Sequence, residues 1–152
     1  MAWALGVRFD ASSLSWFWQY IDPALLKTRL LESLFYFHAQ PPLYDLWLGV
    51  LLKLFGGRFS DAAHGTYVLL GLAGTGGLAF LLARIGVPRI LAVVLALAFF
   101  LSPSAILYEN WLFYEYPVAV LLIFAVLTLY LFLQRRSFAY GVAFFGILSS
   151  IV

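Results

Sequence analysis

The sequence predicts an all-α fold, a polytopic membrane helix bundle with interfacial juxtamembrane helices. Of its 152 residues, 64% are hydrophobic and 11% are charged, whereas soluble domains are nearer half apolar and a quarter charged. The mean hydropathy of +0.99 agrees with this class, and long apolar runs alternate with short polar islands. Several Trp and Tyr residues stand at the ends of these runs, where amphipathic rings favour the headgroup layer.

Net charge and cysteine content exclude other classes of function. The net charge of +2 is too small to argue for a nucleic-acid partner, so none is predicted. The chain has no cysteine, which excludes a disulfide framework and thiolate chemistry.

Residues 1–42 are predicted to form a polar N-terminal segment and an outer juxtamembrane loop. Their first half lacks the ~20 uninterrupted apolar residues that a span needs. Asp22 followed by Pro23 is typical of a helix N-cap and first turn. Leucines then recur at spacings of three and four, which predicts an amphipathic surface helix over roughly 23–37. Pro41 and Pro42 end it with an extended turn.

The remainder of the chain is predicted to hold one more interfacial helix and the membrane spans. Residues 43–56 are apolar but short, and they contain Asp45 and Lys53, which is more typical of an interfacial helix than of a span. A run rich in Gly and Ala follows, which suits close packing of helices. Since the last apolar run continues to the end of the sequence, we expect the chain to be part of a longer protein. The predicted transmembrane helices are 62–85, 88–107 and 116–134, and 138–152 begins a further span.

The arginines of the membrane part test this topology. If residues 43–56 span, the arginine turns fall on the same side as the segment Tyr20–Tyr44. If residues 43–56 lie in the interface, the arginines all face the cytoplasm and both acid-bearing polar segments face outward. The positive-inside rule favours the interfacial arrangement. The sequence therefore predicts that the two acid-bearing segments meet at one membrane face. The arginines are Arg84, Arg89, Arg135 and Arg136.

Three carboxylates are candidates for chemistry, because charged groups at a membrane border are costly and often mark a site. Glu109 and Glu115 lie in a second polar island, residues 108–117. Glu109 could face Asp22 across a water-filled cavity, where the pair could hold a divalent cation or one of them could act as a base. The alternatives are that Asp22 only caps a helix and that the two glutamates are ordinary interfacial residues.

Glu115 and five further residues are candidates for binding substrate. The His38 imidazole could ligate a metal or bond a phosphate or sugar hydroxyl, and Arg29 suits a lipid phosphate. Aromatic rings of the second island, including Tyr108, could stack on a sugar. The alternatives are an interfacial histidine, a solvated helix face and an aromatic belt. Gln40 and Asn110 complete the set.

Two stretches resemble a known family. The stretch W-Q-Y-I-D-P-A-L-L-K-T-R-L-L-E-S-L-F-Y-F-H-A-Q-P-P-L-Y-D-L-W-L-G resembles the first outer loop of bacterial GT-C glycosyltransferases. These are the dolichyl-phosphate-mannose-type and aminoarabinose-transferase-like membrane enzymes (glycosyltransferase family 39-like). There an acidic residue after the first span leads into a juxtamembrane helix and an H/K-x-x-P-P-L-like turn. The stretch S-P-S-A-I-L-Y-E-N-W-L-F-Y-E-Y-P-V resembles their second acidic loop, which follows a Ser-Pro near a span end.

The resemblance implies a multi-pass enzyme of the bacterial plasma membrane, of which this chain is the N-terminal part. It implies transfer of a sugar from a polyprenyl-phosphate donor to an acceptor at the outer face, with membrane lipids as the other partners. Asp22 matches the first-loop acid, the base that activates the acceptor. Glu109 matches the second-loop acid, which supports the cavity or a divalent cation. His38, Gln40 and the proline pair match the turn that closes the first loop.

Two other classes of function remain open. The chain could be a membrane scaffold or transporter segment whose polar islands line a passage or contact partners. It could also be a non-catalytic lipid-handling protein that shares the surface helix. Sidedness discriminates between them, because a glycosyltransferase needs Asp22 and Glu109 close together at one face and a scaffold does not.

Overall fold

A computed structural model of the chain describes residues 8–17, 20–36 and 41–151. These residues form helices and no β-strand, which confirms the predicted all-α class, and their one extended pairing is an isolated bridge between Asp10 and Trp111. A single 3₁₀ turn, Gly56–Arg58, separates α4 from α5. The helices are α1 Ser13–Trp16, α2 Pro23–Thr28, α3 Leu30–Tyr36, α4 Pro42–Phe55, α5 Phe59–Arg84, α6 Arg89–Phe100, α7 Pro103–Glu109, α8 Glu115–Arg135 and α9 Phe138–Ile151.

Two to three of the described helical stretches are long and apolar enough to cross a membrane. Leu43–Arg84 and Glu115–Arg135 qualify separately, and α6 with α7 qualifies as a pair bent by 60°. Helix α5 alone has 26 residues, about 39 Å, and α8 has 21, about 32 Å. Both exceed the ~30 Å hydrocarbon core. The helix α9 is apolar but shorter, with 14 residues.

Helix α4 folds back against the first turns of α5. The Tyr44 hydroxyl lies 2.8 Å from the Tyr67 hydroxyl, and the Trp47 and Tyr67 rings are 5.9 Å apart. A straight helix would separate residues 44 and 67 by about 35 Å. The chain therefore reverses at Gly56, whose φ of +47° suits a residue without a Cβ. This short antiparallel helix coincides with the predicted helix at 43–56, and its interfacial location stays a prediction.

The predicted surface helix over 23–37 is divided in two. Its start is confirmed, because the Asp22 side chain accepts a 2.7 Å hydrogen bond from the Ala24 N–H. Arg29 then leaves the helical region, with φ −133° and ψ 47°, and separates α2 from α3. Leu31, two residues after the break, is 77% exposed. The leucine spacing did not reveal the break, because the three- and four-residue pattern continues through Arg29. Position 37 lies outside the described residues.

The predicted span 88–107 is also divided, into α6 and α7. Pro103 has no N–H for the helix ladder and disfavours helical backbone at Ser102. The Ser102 hydroxyl instead caps α7 by accepting a 3.3 Å bond from the Ala105 N–H. The predicted helices 62–85, 116–134 and 138–152 match α5, α8 and α9 to within a few residues; residue 152 is outside the described part.

Helix α5 lies at the centre of the bundle, between α6 and α8. Its face toward α8 carries Gly71, Gly74 and Gly77, and a Cβ added to Gly74 would overlap the Phe100 ring. The Gly- and Ala-rich pattern therefore serves close helix packing, as predicted. The three glycines meet successive turns of α8, so α5 and α8 run side by side in the same direction. Their neighbours on α8 are Tyr116, Val120 and Phe124.

The helix directions separate the charges. The Tyr130 hydroxyl donates a 2.6 Å hydrogen bond to the Arg84 carbonyl, so the C-terminal ends of α5 and α8 lie together. We call this the arginine end, with Arg84, Arg89, Arg135 and Arg136. The seven carboxylates and the other five Lys and Arg residues belong to segments 8–61 and 109–115, which pack at the opposite, N-terminal ends of α5 and α8. We call this the acid end, with Asp10, Asp22, Glu32, Asp45, Asp61, Glu109 and Glu115.

Candidate functional site

The N-terminal segment pairs with the loop before α8. The Asp10 N–H donates to the Asn110 carbonyl at 2.8 Å, and the Leu112 N–H donates to the Asp10 carbonyl at 2.9 Å. The Leu112 carbonyl in turn accepts from the hydroxyls of Ser13 at 2.5 Å and Tyr20 at 3.1 Å. The two polar segments therefore meet at the acid end, in the arrangement that the arginine distribution predicts. Which membrane face this is stays a prediction.

Tyr67 joins α4, α5 and that loop through one buried hydroxyl. It donates to the Phe113 carbonyl at 2.6 Å and accepts from the Phe113 N–H at 3.1 Å. Because its proton is directed at Phe113, the Tyr44 hydroxyl must be the donor in the 2.8 Å pair between the two tyrosines. Sequence reasoning assigned no role to either tyrosine.

Replacing Tyr67 by Phe should destabilise the protein by about 1–3 kcal/mol, because the buried N–H and carbonyl of Phe113 lose their partner. Thermal unfolding in detergent micelles, followed by near-ultraviolet circular dichroism, measures the change. Tyr36→Phe is the matched control, since Tyr36 is 70% exposed. Equal midpoints for the two variants would show that the Tyr67 hydroxyl does not hold the loop.

A groove at the acid end brings together three of the predicted site residues. It is an open pocket of about 350 Å³ between the α6–α7 break and the start of α8. Tyr108 and Glu115 line it, with Ser102, Ser104 and Tyr116. Glu109 accepts a 3.1 Å hydrogen bond from the Tyr116 hydroxyl, which places its carboxylate beside this wall. We call this pocket the α7–α8 groove.

Glu115 and Asn110 each carry one buried oxygen without a hydrogen-bond partner within the described residues. The Asn110 side chain is 3% exposed, and its amide donates to the Ile106 carbonyl at 2.9 Å at the end of α7. This bond gives Asn110 a structural role, and its substrate contact stays a prediction. Glu115 lines the groove, so a ligand there could use its carboxylate.

Asp22 and Arg29 lie on the exposed side of the acid end. Arg29 forms a 3.7 Å ion pair with Glu32, and both side chains are more than half exposed, so the pair adds little stability. The Asp22 carboxylate bonds Ala24 and the Glu109 carboxylate bonds Tyr116, so the described part of the chain gives them no common partner. His38 and Gln40 are outside the described residues.

The described side chains bear on the predicted metal site. No group of three or more His, Asp or Glu residues lies in a suitable arrangement among them. A hard divalent cation usually takes several oxygen ligands. The divalent-cation site at Asp22 and Glu109 therefore stays a prediction.

Asp45 is a candidate that sequence reasoning missed. Its side chain is 1% exposed, and Oδ1 accepts a long 3.5 Å hydrogen bond from the Ile21 N–H. Oδ2 has no partner within the described residues. Burying a carboxylate with so few hydrogen bonds costs free energy. The bond that Asp45 does make is to Ile21, the residue next to Asp22. An acid in the first turn of an apolar helix, three residues after a proline pair, was the available signal.

Tyr20 is buried where the N-terminal segment meets the loop before α8. Burial is the main cause that raises the pKa of the Tyr20 hydroxyl above its usual range, and the charges of Glu115 and Asp45 act in the same direction. Tyr20 thus joins the N-terminal segment to the second polar island through its hydrogen bond to the Leu112 carbonyl. At the outer edge, the backbone N–H of Ser12 holds the pKa of Asp10 below its ordinary value.

Comparisons with protein-family models, with curated proteins and with solved structures find no match to this chain. The family resemblance therefore rests on the residues of the two polar segments.

Proposed function

We propose that this chain is part of a GT-C-type glycosyltransferase that takes a sugar from a polyprenyl-phosphate donor at the outer face of a bacterial plasma membrane. The observation that carries the proposal is the contact between the two acid-bearing segments, from Asp10 to Trp111 and from Tyr20 to Leu112. Such an enzyme needs both segments at one face, away from the cytoplasmic arginines.

The proposed reaction asks the acid end for two things, to position the acceptor and to remove one proton. Polyprenyl phosphate is a good leaving group, so the protein mainly positions an acceptor hydroxyl and removes its proton. The acceptor oxygen bonds to the anomeric carbon as the bond from that carbon to the phosphate oxygen breaks, with inversion. Asp22 takes the proton. Its Oδ1 is held by the Ala24 N–H, which orients the carboxylate and leaves Oδ2 for the acceptor.

The α7–α8 groove is the proposed place for the sugar. Its serine hydroxyls, the Tyr108 ring and the Glu115 carboxylate offer hydrogen bonds and one stacking surface. Glu109 supports the groove through its bond with Tyr116. No step is routed through a metal ion, because Asp22 and Glu109 have separate partners in the described part of the chain.

The second candidate function is a membrane scaffold or transporter segment. It is favoured by the bonds that already explain two candidate residues without chemistry, since Asp22 caps α2 and Arg29 pairs with Glu32. In that case the aromatic rings of the acid end serve packing, and its carboxylates have no catalytic role. The two proposals differ in whether the chain turns over a lipid-linked sugar.

A turnover assay separates the two candidates. Membranes from cells that produce the chain are incubated with a panel of polyprenyl-phosphate sugars labelled in the sugar, beside membranes from cells that lack it. We expect faster release of polyprenyl phosphate for one donor, with the label transferred to an acceptor. No turnover of any donor, with the chain inserted and folded, would favour the scaffold.

A further inference from the structure

The arginine end contains a pocket that the proposed function does not use. It is an open cavity of about 630 Å³ between the end of α5 and the start of α6. Its lining combines two guanidinium groups with an apolar wall. The lining residues are Ala79, Phe80, Ala83, Arg84, Arg89 and Val93.

The Arg84 side chain is held in place, and neither Arg84 nor Arg89 has a carboxylate partner among the described residues. The Arg84 guanidinium lies 4.8 Å from the centroid of the Phe80 ring, a cation–π distance. The main-chain carbonyl of Arg84 accepts the hydrogen bond from the Tyr130 hydroxyl. All the carboxylates lie toward the acid end, and the one ion pair found among the described residues joins Arg29 to Glu32. Arg84 and Arg89 are therefore available to an anion.

The turn between the helices fixes the spacing of the arginines. The Ile85 N–H bonds the Leu81 carbonyl at 3.1 Å, and the Val87 N–H bonds the Leu82 carbonyl at 3.0 Å. Gly86 has φ +103°, which a side chain would strain. A turn whose backbone is bonded in this way presents both side chains to the pocket without much loss of backbone entropy on binding.

We infer that this pocket binds the phosphate of an anionic phospholipid. Guanidinium groups match phosphate oxygens in bidentate geometry, and basic pockets between helices on the cytoplasmic side suit anionic headgroups. A lipid is favoured over a soluble phosphate because the wall formed by Phe80 and Val93 is apolar. Ile90, next to Arg89, is also 82% exposed, which suits contact with acyl chains at the membrane border.

The other arginine pair of the same end is a matched control. The Arg135 guanidinium donates to the Tyr140 hydroxyl at 3.3 Å and lies 5.9 Å from the centroid of its ring. Arg136 is the C-cap residue of α8, with φ 49°. Neither residue lines the pocket. Removing either pair changes the net charge of the arginine end equally.

The test measures lipid binding by native mass spectrometry on the purified chain in detergent micelles. Phosphatidylglycerol and phosphatidylcholine are titrated separately into the unmodified chain, the R84Q/R89Q double variant and the R135Q/R136Q double variant. We expect a preference for phosphatidylglycerol that falls at least tenfold in R84Q/R89Q and less than threefold in R135Q/R136Q. Far-ultraviolet circular dichroism checks that each variant retains its helices.

Three results would overturn the inference. Equal losses in the two double variants would mean that only the net charge attracts the lipid. Equal binding of the two lipids by the unmodified chain would mean that the pocket does not select anions. Displacement of phosphatidylglycerol by millimolar inorganic phosphate would assign the pocket to a soluble phosphate compound instead of a membrane lipid.

Discussion

Replacing Asp22 by Asn should lower the rate of donor turnover by roughly 10²–10⁴-fold, the usual contribution of a general base. Asn cannot accept the acceptor's proton. It is, however, as good a helix N-cap as Asp, so the bond to the Ala24 N–H should remain. The substitution therefore removes the proposed base and keeps the start of α2. The measurement is the release of polyprenyl phosphate in membranes that contain equal amounts of each variant.

The control for this prediction is Asp61→Asn. Asp61 is an exposed carboxylate in the first turn of α5, at the same end of the bundle. Its replacement makes the same change of charge and should alter turnover less than twofold. Unchanged turnover in the Asp22 variant would remove that residue from the proposed mechanism. An equal loss in both variants would mean that the total charge of the acid end matters and not a particular base.

Replacing Leu48 by Ala should destabilise the protein by about 2–5 kcal/mol, the usual cost of a buried Leu-to-Ala change. Leu48 is 0% exposed, and it belongs to the buried cluster that includes Leu26 and Ala63. The cavity would open where α2 and α5 pack on α4. Because α4 also carries Asp45 and Tyr44, this change should loosen the acid end as well. The thermal midpoint in detergent micelles should fall by several degrees.

Leu54→Ala in the same helix is the matched control. Leu54 is 71% exposed, so its truncation leaves no internal cavity and should change stability by less than about 0.5 kcal/mol. If both variants lost the same stability, α4 would not be packed as a hairpin against α5. A loss in Leu48→Ala alone fits the fold described above.

Helix positions could be predicted where a long apolar run carries the signal. Helices α5 and α8 follow from the lengths of such runs. The stretch 88–107 was predicted as one span, although Pro103 carries the signal for the bend before α7. The break at Arg29 could not be predicted, because Leu26, Leu30 and Leu34 keep helical spacing across it. A change in backbone angles at one residue leaves no mark in a pattern of hydrophobicity.

The residues of the candidate site also fall into those that the sequence predicted and those that it did not. Tyr108, Glu109 and Glu115 were found because they share one short polar island, so their proximity is local. Asp45 and Tyr67 were missed because their partners are distant in sequence, 24 residues away at Ile21 and 46 residues away at Phe113. Only the fold brings such pairs together. From the sequence alone, an aromatic residue inside an apolar run is most simply interpreted as a residue that packs in the core.

The most direct test of the central claim is the sidedness of single cysteines in a chain that has none of its own. Ser60→Cys and Ser104→Cys place a thiol at the acid end, and Ser137→Cys places one at the arginine end. A membrane-impermeant maleimide should label the first two in intact cells and the third only after permeabilisation. Labelling of Ser60→Cys and Ser104→Cys on opposite sides, or of both only after permeabilisation, would contradict an outward-facing acid end.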